Sequence, residues 1–295
     1  MDALARLRVF VAVAEAASFA RAAAALRISA TKASRAVAEV EDELGVTLLR
    51  RTTRSVALTD AGARYLEHCR HALSELDDAA RSLRGDSGEP AGRLVVSAPT
   101  MFGRKLVLPV VAALLEQWPR LAVELLLTDR MTRLAEEGVD VAVRIAELSD
   151  SSLTSMRLRE VRRVLVASPS YLERRDVPAA IGDLGDHALI AFEPFAPNDE
   201  WRFAGPGRQS VRLAPRLRVN DMAAAISAAR SGLGVARVFC YQVEDDIGDG
   251  RLVTILDEFA PPPVPVSLVF QASRQRSVTV RAFVDLAVER LRRVT

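Results

Sequence analysis

The chain has 295 residues, 49% of them apolar and 26% charged, with a formal net charge of +2. That length supports two or three compact units with cores of their own, and the apolar fraction excludes global disorder. The near-balanced charge excludes a polycation, so any nucleic-acid surface must be local.

From Leu4 to Ala16, the larger apolar residues Leu4, Leu7, Phe10, Val11 and Val13 predict one helix with a core face. Ser18 can cap a second, alanine-rich helix from Phe19 to Arg27, whose small residues suit a close helix crossing. A third begins at the N-cap Ser29 and stops at Gly45, with Ala33, Val37, Val40 and Leu44 as its buried stripe. Its opposite face carries Thr31, Ser34, Arg35 and Ala38, small groups and one arginine that suit a DNA major groove. Three short helices with a tight turn before the third predict a helix-turn-helix. Strands at Val46 to Leu49 and Ser55 to Leu58 would flank the basic run Arg50-Arg51-Thr52-Thr53-Arg54 as a phosphate-gripping wing. Between residues 27 and 54 six cations stand against four anions, and the anions, Glu39, Glu41, Asp42 and Glu43, fall in the second half of the third helix. They are expected to point away from phosphate. Lysine occurs only at positions 32 and 105, a bias that fits a GC-rich genome better than a binding design.

Asp60 to Arg84 reads as one long helix. Leu66, Cys69, Leu73, Leu76, Ala80 and Leu83 keep a heptad register that predicts a dimerising seam, with packing onto its own chain as the alternative. His68 and His71 on that helix have no further ligand nearby and read as solvated surface, so no metal site is expected. Gly85 to Gly92, rich in glycine with one proline, marks a boundary. Beyond it come a strand at Leu94 to Ala98, a helix at Leu106 to Trp118, a strand at Leu121 to Leu127, a helical turn or two from Asp129 to Glu137 and a strand at Val139 to Ile145. A second such pattern has strands at Val164 to Ala167 and Ala188 to Phe192, a helix at Asp221 to Ser231 and a strand at Val235 to Phe239. Pro261 to Pro265 reads as a stiff connection to a strand at Val266 to Phe270, and Val278 to Arg293 as a final helix. Strands alternating with helices predict a parallel sheet in an α/β domain.

Several residues now stand at the spacing of a known family. They are Ser18-Phe19, Ala22-Ala23, Leu26, Ser29, Ser34-Arg35, Glu41, Leu44-Gly45, Leu48-Leu49, Arg51 to Arg54, Leu58-Thr59 and Gly62. In these the chain resembles the LysR-type transcriptional regulators. Gly92 to Pro99, Pro109, Val139 to Arg144, Ala167 to Leu172 and Gly232 to Val235 look like landmarks of that family's effector domain. The resemblance implies an α/β fold with an all-α N-terminal part. A winged helix-turn-helix (1–59), a dimerising linker helix and hinge (60–91) and a periplasmic-binding-protein-like effector domain (92–295) would follow one another. The last would divide into subdomain I, about 92–162 and 266–295, and subdomain II, about 163–265. It also implies a sequence-specific regulator whose DNA binding or promoter activation responds to a small effector held between those subdomains. Ala30, Lys32 and Ala33 depart from the family, which often has glutamine at the first, so Lys32 is expected to supply a replacement contact.

The expected DNA-binding residues are Ser29, Thr31, Lys32, Ser34 and Arg35 on the reading helix, with Arg50, Arg51, Thr52 and Arg54 at the wing; an ion pair of Arg50 or Arg51 with Glu41 to Glu43 is the alternative. Ligands of α/β sheets sit beyond the carboxyl ends of parallel strands. That logic selects Thr100, Met101, Phe102, Arg144 and Ile145, with Phe203, Asn220 and Val235 from the second subdomain. The helix start at Thr100 would favour an anion. Arg144 either clamps a carboxylate or forms a buried salt bridge. The expected partners are a double-stranded operator with an inverted repeat, a small organic effector with a carboxylate, and further copies in a homodimer or homotetramer. RNA polymerase is carried as a further partner, and no cofactor is expected. Two distant cysteines, a polar start and the lack of a long apolar run point to a cytoplasmic protein without membrane contact. Three histidines and two cysteines offer no nucleophile–base set, which argues against an enzyme. A solute-binding α/β protein with a helical dimerisation module is the alternative.

Overall fold

The computed structural model describes residues 1–51, 56–83, 89–134, 136–148, 153–192, 200–204, 210–212 and 214–293. Its N-terminal unit has three helices, α1 (Ala3–Ala16), α2 (Phe19–Ala25) and α3 (Ala30–Leu44), followed by a hairpin of β1 (Leu49–Arg51) and β2 (Val56–Leu58). Asp2, Ser18 and Ser29 cap the three helices by accepting the amides of Ala5, Arg21 and Lys32, donors that a helix start otherwise leaves orphaned. Phe10, Val13, Ala33 and Val37 are wholly buried, and Ala22, Ala23 and Ala36 nearly so. The alanines let the helices approach closely.

The first wing strand starts later than its apolar run suggests. Val46 is 46% exposed, whereas Leu48 and Leu49 are buried. The reason is Glu41 on α3, whose Oε1 accepts the amides of Leu48 (2.8 Å) and Leu49 (2.9 Å). This pulls the chain against α3 before pairing can begin.

The long helix α4 (Asp60–Leu83) divides its apolar stripe between two fates. Leu66 and Cys69 join the core of the N-terminal unit, at 5% and 3% exposure, while Leu76 is 50% exposed. Leu73 is buried, and the side chains of Ala80 and Leu83 lie outside the described residues. The seam expectation is therefore corrected at Leu66 and Cys69, which pack on their own chain. An a/d register and an ordinary amphipathic face share the same spacing, so the pattern cannot name its partner.

The rest of the chain forms two five-stranded sheets. Sheet one has the order β4-β3-β5-β14-β6 and contains β3 (Gly92–Ala98), β4 (Leu121–Leu127), β5 (Val141–Ile145), β6 (Leu153–Val161) and β14 (Val264–Gln271). Sheet two has the order β11-β8-β12-β7-β13 and contains β7 (Arg163–Ala167), β8 (Leu189–Phe192), β11 (Leu217–Val219), β12 (Val235–Phe239) and β13 (Val253–Ile255). A small hairpin of β9 (Glu200–Arg202) and β10 (Ser210–Arg212) accompanies it. Helices α5 (Thr100–Phe102), α6 (Leu108–Gln117) and α10 (Val278–Arg293) belong to the first half, with a π-helical turn at Gly103–Val107 joining α5 to α6. Helices α7 (Pro169–Arg175), α8 (Met222–Arg230) and α9 (Cys240–Gly248) belong to the second.

Both sheets are mixed, which corrects the parallel-sheet expectation. β3 runs parallel to β4 and β5, and β8 to β11 and β12, but β14 is antiparallel to β5 and β6, and β7 to β12 and β13. The chain passes between sheets after β6 and returns before β14. A strand arriving from the other half enters its sheet at the end where the parallel strands finish, and so must run against them. The edge strand β6 escaped the sequence reading because its burial does not alternate: Leu158 and Val161 are buried three residues apart, Arg157 and Glu160 are exposed, and its register with β14 shifts at Val266/Ser267. The described residues between 129 and 138 form irregular chain, bends and turns rather than the expected helix, with an Arg130–Glu137 ion pair across them. No helix among the described residues is long and apolar enough to cross a membrane.

Candidate nucleic-acid interface and ligand cleft

Burial of Ala33, Ala36, Val37 and Val40 turns the other side of α3 outward. Thr31, Lys32 and Arg35 are exposed there, and Ser34 is half-buried. Ser29 is exposed, its hydroxyl spent on the Lys32 amide at 3.2 Å. Ser29, Thr31, Lys32, Arg35 and Glu39 line one concave surface. The Arg35 side chain is 82% exposed, and its Nε donates to Glu39 Oε1 at 3.0 Å, one turn along. That hydrogen bond holds the Glu39 carboxyl below its usual range, against a smaller opposing effect of desolvation. Arg6 of α1 also reaches Glu39 (3.6 Å) and Glu43 (2.7 Å). The expectation that all the acids of α3 point away is thus corrected for Glu39, which lies beside Arg35. Held through Nε, the guanidinium keeps its Nη edge for an external acceptor. Arg50 is exposed on β1. The side chain of Arg51, together with Thr52 and Arg54, lies outside the described residues.

Between the two sheets lies a cavity of about 110 Å³. Its walls come from the carboxyl ends of β3 (Ser97, Ala98, Pro99), β4 (Thr128 to Thr132) and β5 (Arg144 to Ala146), and from Phe192, Phe239, Tyr241 and Gln242 opposite. Tyr241 stacks on Phe239 with centroids 6.0 Å apart and meets Phe102 edge-on at 5.3 Å. Burial pushes the Tyr241 phenol up, while the hydrogen bond from Gln242 Nε2 at 3.3 Å opposes that shift. Gln242 Oε1 also accepts the Phe239 amide at 2.8 Å, fixing the turn from β12 into α9.

Arg144 Nη2 donates to the Thr132 carbonyl at 2.7 Å, and burial depresses its pKa. Its partner is a neutral oxygen, which corrects the salt-bridge alternative among the described residues: a half-buried guanidinium stands at the cavity, bonded to a carbonyl. The expected anion site at Thr100 fares differently. Asp129 Oδ1 accepts the Thr100 amide at 3.1 Å, so an internal carboxylate already occupies that position, at the head of a helix only three residues long.

Of the other expected cleft residues, Ile145 lines the cavity. Met101 is half-buried between the cores of the two halves, and Phe102 is wholly buried beneath Tyr241. Three are misplaced. Val235 is buried at the amino end of β12, paired with Leu189, whereas the cavity is reached at the carboxyl end, Phe239. Asn220 is exposed beyond the edge strand β11. Phe203 packs with Trp201 on the opposite face of sheet two, near Arg163 and Arg237. Phe192 and Phe239 were within reach of the same strand-end logic, since both close strands legible in the sequence. Asp129 and Gln242 carried no such signal.

Residues 4–63 match the family described as the bacterial regulatory helix-turn-helix protein of the lysR family, and residues 87–292 match the LysR substrate binding domain. The chain is 32% identical over 296 residues to an HTH-type transcriptional repressor of Pseudomonas aeruginosa, covering 98% of this chain and 92% of that one. It is 32% identical over 287 residues to the HTH-type transcriptional activator AaeR of Escherichia coli, covering 97% and 93%. The solved structure of CrgA, a LysR-type transcriptional regulator from Neisseria meningitidis, superposes with a TM-score of 0.64 at 30% identity, covering 97% of this chain and 98% of that one.

Proposed function

The chain belongs to the LysR family of transcriptional regulators, and from that premise we propose which residues carry its two binding events and what its effector looks like. Members of the family bind DNA and small-molecule effectors and form oligomers, and are not enzymes. On the DNA side, Thr31, Lys32, Ser34 and Arg35 read the major groove, with Ser29 ordering the helix start. Arg50, Arg51, Thr52 and Arg54 hold phosphate at the wing. Lys32 stands where it can contact a base or phosphate in place of the absent glutamine. Two copies about a two-fold axis give an inverted-repeat operator with half-sites about a helical turn, or a multiple, apart. Leu76, exposed on α4, is a seam residue left for a partner chain, and Ala80 and Leu83 continue that register. RNA polymerase is a further contact of the assembled homodimer or homotetramer.

The effector is a small, flat, carboxylate-bearing molecule. Arg144 carries this reading: a guanidinium whose partner among the described residues is a carbonyl supplies a fork for a carboxylate. The aromatic side chains Phe192, Phe239 and Tyr241 make the rest of the wall suited to a planar apolar body. Genome-wide mapping of bound DNA would name the neighbouring genes and so the pathway. A thermal-shift screen of organic acids around that pathway should raise the melting temperature of the wild-type protein and not of Arg144→Leu. Neutral ligands that stabilise both proteins equally, with acids stabilising neither, would overturn the charge assignment.

A further inference from the structure

On the side of sheet one remote from the cleft, the amino ends of β3 and β5 face α1 and α4 across a cavity of about 450 Å³. Charges alternate in sign across this gap. Arg70 on α4 donates from Nε to Glu15 of α1 at 2.9 Å and from Nη1 to Glu67 at 2.6 Å. The second oxygen of Glu67 reaches Arg93 Nη1 on β3 at 3.7 Å, and Arg93 in turn pairs with Glu124 of β4. Behind them, Asp140 and Arg274 form a pair at 2.9 Å with side chains only 9% and 5% exposed, and Asp140 Oδ2 accepts the Val95 amide at 2.8 Å. That buried pair makes the sheet end rigid beneath the relay.

Gly138 carries the second, independent observation. It has φ +61°, and a Cβ there would lie 3.1 Å from Glu67 Oε2 and 3.7 Å from Glu67 Cβ. The turn into β5 therefore brings the Gly138 backbone close to α4, where a Cβ would crowd the Glu67 carboxylate. We propose that the amino end of sheet one is the docking face for the DNA-binding unit of the same chain. The relay Glu15–Arg70–Glu67–Arg93–Glu124 sets the angle at which that unit sits. β3 and β5 each have one end at the docking face and the other at the ligand cavity. A packed strand moves as one piece, so a change at the cleft is felt at α4. Half-exposed ion pairs are individually weak, and their value here is in orientation.

The test uses the full chain with Cys240→Ser, carrying Glu67→Cys and Gly138→Cys. A Cβ separation of 3.7 Å lies inside the range of about 3.5–4.5 Å for a disulfide. Mild oxidation should give one intramolecular bond, seen as a faster monomer band and a linked peptide containing both positions. The oxidised and reduced forms should differ at least threefold in affinity for the DNA upstream of the gene. Independently, Glu67→Gln and Arg93→Gln should each raise amide exchange at the amino end of β3 about fivefold, and the double variant should raise it by clearly less than the product of the two. A disulfide formed only between chains, or a double variant whose effect is the full product of the two single ones, overturns the docking face. Equal DNA affinity in both redox states overturns its regulatory role.

Discussion

The outward face of α3 and the cavity between the two sheets, the two sites proposed above, solve opposite problems. The first takes its groups from one short run, Ser29 to Arg35, on a single capped helix whose far side is buried among alanines and valines. The second collects its walls from both sheets, so each side chain depends on a different strand end. The cations differ accordingly. Arg35 stands in solvent beside an acid that orients it, whereas Arg144 is desolvated with a carbonyl for company. Charge that meets DNA can stay exposed, whereas a desolvated guanidinium held by a carbonyl suits the small carboxylate proposed above.

The largest effect that would separate the two regions concerns glycines. Gly62→Ala places a Cβ 2.0 Å from the Leu48 carbonyl oxygen, a backbone atom that cannot yield. It should cost on the order of 3 kcal/mol, read as early unfolding of the N-terminal unit in a denaturant titration. Gly103→Ala meets chiefly the tip of the Leu127 side chain, which can turn away, with Ala98 Cβ at 3.1 Å as a tighter but tolerable neighbour. A loss of about 1 kcal/mol is expected there, and equal losses would mean that both regions are packed with the same rigidity.

Next in size, Arg144→Leu should leave stability within about 1 kcal/mol of wild type, because no buried acid is orphaned, yet weaken a carboxylate effector by roughly ten- to a hundredfold. Calorimetric titration with the acid found in the screen decides it, and collapse of the fold would show a structural role instead. Arg35→Ala is expected to remove about 1–3 kcal/mol of preference between cognate and random duplex. Arg50→Ala and Arg54→Ala should weaken both duplexes alike and flatten the salt dependence. If both kinds of variant lose cognate and random DNA equally, the reading face carries no base contact at Arg35.

The smallest effect tests which half of α4 belongs to the N-terminal unit. Burial, opposed by the hydrogen bond with Tyr65, pushes the Cys69 thiol up from 9.0 to about 11. The unfolded chain therefore gives up this proton first, so stability should fall as the pH rises from about 9 through about 11. At pH 8 a thiol reagent should label the half-buried Cys240 well before Cys69. Fast labelling of Cys69 would place it at an open seam after all.

Local regularity was legible in the chain itself. Ser18 and Ser29 announced helix starts, Gly45 a helix end, and the three- and four-residue apolar steps the buried stripe of α3, because caps and periodicity act within a few residues. Strands such as β4, β12 and the helix α10 were legible for the same reason. What the assembled fold alone decided concerns partners that are distant in sequence. Leu66 and Cys69 pack inward while Leu76 does not, since one spacing serves two kinds of helix contact. Glu41 ties down the wing, Asp129 fills the helix start at Thr100, and Arg144 faces Thr132 rather than an acid. β7 and β14 run against their neighbours because the chain changes sheets, while β12, parallel to β8, brings Phe239 at its carboxyl end, and not Val235, to the cavity.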